Sequence, residues 1–112
     1  MADRARKAPE TAELRRLRRR IDALDRRIVG LLNERARVAR EAGRAKADAG
    51  RTAVRDAERE REILLRVSMA NEGPMPQADL LALYRRLFAA TRALEARDRR
   101  RDRDGTGDDG SS

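Results

Sequence analysis

Five ionisable residues stand where helical patterns ask for apolar ones: Arg35, Lys46, Asp56, Glu60 and Glu95. Residues 14–46 carry an apolar seam of Leu14, Leu17, Ile21, Leu24, Ile28 and Leu31, then Val38, Ala42 and Ala45, and the slot between Leu31 and Val38 falls on Arg35. Lys46 returns to within about 20° of the Arg35 direction at roughly 100° per residue. A later stripe of Ile63, Leu64 and Val67, continued backward at helical spacing, reaches Glu60 and then Asp56. A third stripe, Leu80, Leu81, Tyr84, Leu87 and Phe88, leads on to Thr91, Leu94 and Glu95. Charges are rarely buried without a partner. Each of these residues alone reads as a structural ion pair or a helix-edge residue. Together they predict a polar pocket inside a helical bundle, rich in cations and suited to a small anion.

The elements that must position these groups are all helical, and no strand pattern or repeat is present. The first helix is expected over residues 11–49, with Thr11 as N-cap and Pro9 at the entry. Such a helix is far longer than the globular average. Gly43 inside it marks either tolerance or the close approach of a backbone or ligand. A break is expected over residues 50–55, after which Asp56 caps a second helix reaching Ala70, with Glu58 in its first turn. Gly73, Pro74 and Pro76 stop that helix, Gly closing it and Pro76 opening the next. The third helix is expected over residues 77–96.

The chain has 112 residues and a net charge of +8. Residues 1–10 and 97–112 hold few apolar groups to bury, so tails without structure are expected on either side of a helical domain over 11–96. With one Phe, one Tyr and no Trp, that domain has little material for a core, and long aliphatic helices would gain one by dimerising. Without Cys there is no thiol nucleophile, disulfide framework or thiolate metal site, and without His the usual neutral-pH base and metal ligand are missing. No apolar run approaches the ~20 residues that span a bilayer and no signal-peptide core is present, so a cytoplasmic protein is expected.

The segment Leu17-Arg18-Arg19-Arg20-Ile21-Asp22 resembles the opening of the all-helical, type II chorismate mutases. Leu31-Leu32-Asn33-Glu34-Arg35, Gly43-Arg44-Ala45-Lys46, Val54-Arg55-Asp56-Ala57-Glu58-Arg59-Glu60 and the run from Leu87 to Glu95 are similar to later segments of that family, in order. The resemblance covers residues 14–95. It implies an all-α fold of three-helix subunits in an intertwined homodimer. It also implies the Claisen rearrangement of chorismate to prephenate, in aromatic amino acid or derived aromatic biosynthesis, with no cofactor and no metal. By position, Arg18 would reach the partner subunit's pocket and bind one substrate carboxylate, and Arg35 would bind the other. Lys46 would donate to the ether oxygen, with Arg59 supporting that site. Asp56 and Glu60 would engage the ring hydroxyl and orient the cations. Thr91 stands where Ser is frequent and Glu95 where Gln is frequent. With no second catalytic domain in the chain, a monofunctional enzyme is expected.

Two departures from the family pattern matter. An ionised carboxylate only accepts hydrogen bonds, so Glu95 must hold a proton to donate to an ether oxygen. Activity is then expected to fall as pH rises and Glu95 ionises. The 50–55 loop is one residue longer than expected, with Thr52-Ala53 where a Pro is common. Other readings stay open. The same scaffold could serve a 4-amino-4-deoxychorismate mutase, since two acids suit an ammonium as well as a hydroxyl, or an isochorismate–pyruvate lyase, although Arg55-Asp56-x-x-Arg59-Glu60 is closer to the mutase pattern. A basic helical dimer could hold nucleic acid through Arg15, Arg16, Arg18, Arg19 and Arg20, but no aromatic platform or DNA-binding motif accompanies them, and no nucleic-acid or membrane partner is expected. A plain coiled-coil adaptor would gain stability from Arg35→Leu with no other effect.

Overall fold

A computed structural model describes residues 8–50 and 56–111, with residues 106–111 described by backbone alone. It contains three helices: α1 (Ala12–Asp48), α2 (Ala57–Ala70) and α3 (Gln77–Ser111). No strand occurs among the described residues. The chain divides into two compact units, Met1–Arg35 and Ala36–Ser112. The expected break over 50–55 and most of the expected N-terminal tail lie outside the described residues.

Helix starts follow the expected chemistry. The Thr11 hydroxyl accepts from Leu14 N at 3.1 Å, and the Thr11 carbonyl accepts from Arg15 N at 3.0 Å. Asp56 caps α2, its Oδ1 accepting from Arg59 N at 2.9 Å. The α2 terminus differs in detail: Asn71, not Gly73, is the C-cap, its N–H donating to the Val67 carbonyl at 3.0 Å. The Asn71 side chain then shapes the turn, accepting from Gly73 N at 3.0 Å and donating to the Met75 carbonyl at 3.1 Å. Gly73 follows with φ +77°, a left-handed conformation that glycine adopts without a Cβ penalty. The Pro76 carbonyl accepts from Leu80 N at 3.1 Å, so Pro76 stands just before α3 and opens it.

In the second unit α2 packs on α3 through the expected stripes. Phe88 is buried at 5% exposure, and Tyr84 meets it edge-on with ring centroids 6.2 Å apart. Ile63, Leu64, Val67, Leu80, Leu81 and Leu87 are half-buried around this pair.

The face of α1 differs from the expected one. Val38, Ala42 and Ala45 are exposed, while Ala36, Ala39, Arg40, Gly43 and Lys46 are half-buried. The half-buried face is rotated by one residue, about 100°, from the apolar seam. In the first unit the seam faces solvent, with Ile21 55%, Ile28 51% and Leu31 59% exposed.

Helix α3 also differs, continuing from the expected end at Ala96 to Ser111. The first turns of this continuation have a physical cause. Arg40 Nε and Nη2 donate to the two oxygens of Asp98, each at 2.9 Å, in a two-pronged pair. The pair fastens the continuation to α1. These hydrogen bonds hold the Asp98 carboxyl below its ordinary range. Partial burial opposes that, and the charges of Arg40, Arg44 and Arg101 add to it. The same contacts raise Arg40 above its ordinary value. Asp98, Asp102 and Asp104 also alternate with arginines three and four residues away, a spacing that supports an exposed helix.

Asp98→Asn is expected to lower the melting temperature at pH 7 by roughly 2–5 °C. A carboxylate whose folded pKa is depressed stabilises above its unfolded pKa, and the benefit is lost as pH falls through the folded value. The difference between wild type and Asp98→Asn should therefore close below the usual carboxylate range. Parallel thermal melts from neutral to strongly acidic pH check this, and a gap independent of pH would disprove it.

Candidate functional site

In the second unit, α3 meets α1 and α2 at two places. At the first, glycine makes the room. A Cβ on Gly43 would stand 3.0 Å from Glu95 Oε2 and 3.6 Å from its Cγ. The half-buried Glu95 side chain therefore lies along the α1 backbone. Gly43 is closely approached, but by a side-chain carboxylate, and by neither the backbone nor the ligand that the sequence suggested. Arg40 and Asp98 pair one turn away, so the contacts run 40 with 98 and 43 with 95, an antiparallel register. Lys46, three residues beyond Gly43, is half-buried in the last turn of α1. The negative end of the helix dipole favours a cation there.

The second contact joins α2 to α3. Arg92 Nη1 donates to Glu60 Oε2, with the two side chains 28% and 15% exposed. Glu60 belongs to the first turn of α2, where its N–H donates to the Asp56 carbonyl at 3.0 Å. Asp56 and Glu60 are thus brought to one helix end, and both are half-buried.

The remaining expected residues have their own contacts. The Arg59 guanidinium engages Glu62 at 3.2 Å and is about half exposed. Thr91 Oγ1 donates to the Leu87 carbonyl at 3.0 Å. Its proton is used within the helix, so Thr91 meets any other group as an acceptor. Arg35 is half-buried, and Arg18 is exposed with its guanidinium paired to Glu10. Arg18 and Arg35 fall in the first unit, whereas Lys46, Asp56, Arg59, Glu60, Thr91 and Glu95 fall in the second.

Sequence reasoning missed Arg92 and the Arg40–Asp98 pair. A signal for Arg92 was present. At about 100° per residue it lies within about 40° of the Phe88 direction, nearer than Thr91 at about 60°. Asp98 had no such signal, because it follows the last apolar residue of its stripe.

Gly43→Ala is expected to shift the Glu95 carboxyl by a few tenths of an ångström, because the atom it meets is the far end of a flexible side chain. Helix stability should rise by up to about 1 kcal/mol, the usual difference between Ala and Gly. A lower melting temperature in this variant would mean that Glu95 cannot yield.

Comparison with known proteins agrees over this region. The profile of the type II chorismate mutase family matches residues 17–96. The chain is 39% identical over 87 residues to a bifunctional chorismate mutase/prephenate dehydratase of Aquifex aeolicus, covering 74% of this chain and 24% of that protein. A protein of the same description from Stutzerimonas stutzeri is 37% identical over 90 residues, covering 77% and 25%. The chain thus spans about a quarter of the length of these curated relatives. Among solved structures, a chorismate mutase (form II) from Thermus thermophilus superimposes with a TM-score of 0.71 at 34% identity, covering 76% of this chain and 96% of that one. The family profile spans the segment that carries Arg18, Arg35, Lys46, the Asp56–Glu60 turn and Glu95, and this chain belongs to the type II chorismate mutase family.

Proposed function

We propose that this chain is a chorismate mutase that rearranges chorismate to prephenate as a homodimer in the cytoplasm. The observation that carries the reading is the contact of Glu95 with Gly43, one turn before Lys46, in a chain of this family. The reaction breaks one C–O bond and forms one C–C bond within a single molecule. No proton, electron or co-reactant enters or leaves, so the protein needs only to fold the substrate and stabilise the charge that develops on the ether oxygen.

Each residue then has a physical task. Arg35 and, in the dimer, Arg18 of the partner subunit hold the two substrate carboxylates. Guanidinium forks bind carboxylates directionally and select the folded conformer in which the bond-forming carbons lie close. Lys46 donates to the ether oxygen, where an aimed donor acts on the transition state more than on the ground state. Glu95 joins it when protonated. Asp56 and Glu60 accept from the ring hydroxyl, and Arg59 supports the cationic side. Support for the dimer is the row of exposed apolar residues along α1, including Leu24 at 49% and Ile28 at 51%. Scattered apolar side chains are ordinary on a surface, but a continuous stripe marks an interaction face. Among the described residues no helix is long and apolar enough to cross a membrane.

Purified protein is expected to consume chorismate and release prephenate, identified by mass. Lys46→Ala should lower kcat/KM by on the order of 10²–10³, the scale for losing one aimed donor. Arg35→Leu should abolish turnover, whereas a plain helical adaptor would only gain stability.

A further inference from the structure

Glu60 has a counterion on α3 that the tasks above do not use. Arg92 donates to Glu60 Oε2, and both side chains are mostly sheltered from solvent, at 28% and 15% exposure. The contact crosses between helices and joins residues 32 apart in the chain. It is therefore a tertiary contact and not a neighbouring pair along one helix.

Its consequence lies in charge. Asp56 and Glu60 are two acids at the start of α2, facing the ring substituent under the mutase reading, on which this inference rests. Two uncompensated carboxylates favour an ammonium over a neutral hydroxyl. Arg92 offsets the Glu60 charge locally and places a cation at that end of the acidic pair. An incoming ammonium then meets a like charge across a sheltered site, where screening by water is weak. A hydroxyl meets no such opposition. It needs only an acceptor, and each of the two carboxylates offers about four lone-pair positions, of which Arg92 takes one on Glu60. We propose that Arg92 is a specificity-determining residue, which through Glu60 makes the site accept a 4-hydroxy ring and reject the cationic 4-amino-4-deoxy ring. It acts through Glu60, as a positioning residue, without touching the reacting atoms.

The test is competition between chorismate and 4-amino-4-deoxychorismate in one reaction, with both products followed by mass. The measured quantity is the ratio of the two kcat/KM values, which does not depend on how much of a preparation is folded. Wild type is expected to favour chorismate. Arg92→Met should shift the ratio toward the amino substrate by about tenfold or more, the scale of removing one nearby like charge. Arg92→Lys should keep the wild-type ratio, because the charge is retained. If Arg92→Met does not yield folded protein, Arg92→Gln supplies the neutral side chain. An unmoved ratio in the neutral variant overturns the proposal, as does an equal shift in Arg92→Lys. Failure of wild type to convert either substrate would overturn the mutase reading itself, an outcome distinct from conversion with an unmoved ratio.

Discussion

The contacts of α3 with α1, Arg40 with Asp98 and Gly43 with Glu95, are the constraint that sets the register of the second unit. A Cβ at position 43 would lie 3.0 Å from Glu95 Oε2, so glycine lets this flexible carboxylate rest against the α1 backbone where alanine would push its end aside. Flanking contacts use that closeness. Ala36 and Ala39 keep the same face thin, and Arg40 reaches Asp98 with both prongs one turn away. Lys46 follows on the same face at the helix end whose dipole suits a cation. Helix propensity is given up at one position, and a polar contact is set in register with others spaced by whole turns.

That arrangement also separates the tasks of α1. Its small and polar face serves the second unit, and its large aliphatic face stays in solvent within a single chain. Phe88 is the one buried apolar side chain among the described residues. A core this small is weak for a chain of this length, so the exposed aliphatic row on α1 is where the remaining hydrophobic stabilisation would come from. The proposed dimer would thus supply the missing core and bring Arg18 of the partner subunit to the site.

Legibility in the sequence followed the reach of each interaction. Caps are local, and Thr11 and Asp56 were both readable from residue type and position. The stripes of α2 and α3 were readable because an apolar period of 3.6 survives without knowledge of the partner. The face of α1 that serves the second unit was hidden in the sequence because the larger aliphatic seam dominates the pattern. Alanine and glycine at 36, 39 and 43 carry little hydrophobic signal, although they set the intrachain contact. Ion pairs across 32 or 58 residues, such as Arg92–Glu60 and Arg40–Asp98, leave no periodic trace. The continuation of α3 was hidden for the same reason, since its anchor is a single distant arginine.

That anchor bears on where this protein can be cut. The family profile ends at residue 96, two residues short of Asp98. A fragment trimmed to that boundary would retain every residue assigned a role toward substrate, yet leave the half-buried Arg40 guanidinium without its carboxylate. An unpaired charge beside the Gly43–Glu95 contact loosens the register at its most demanding point. The family profile therefore ends inside α3, and the helix and its anchor on Arg40 run on beyond it.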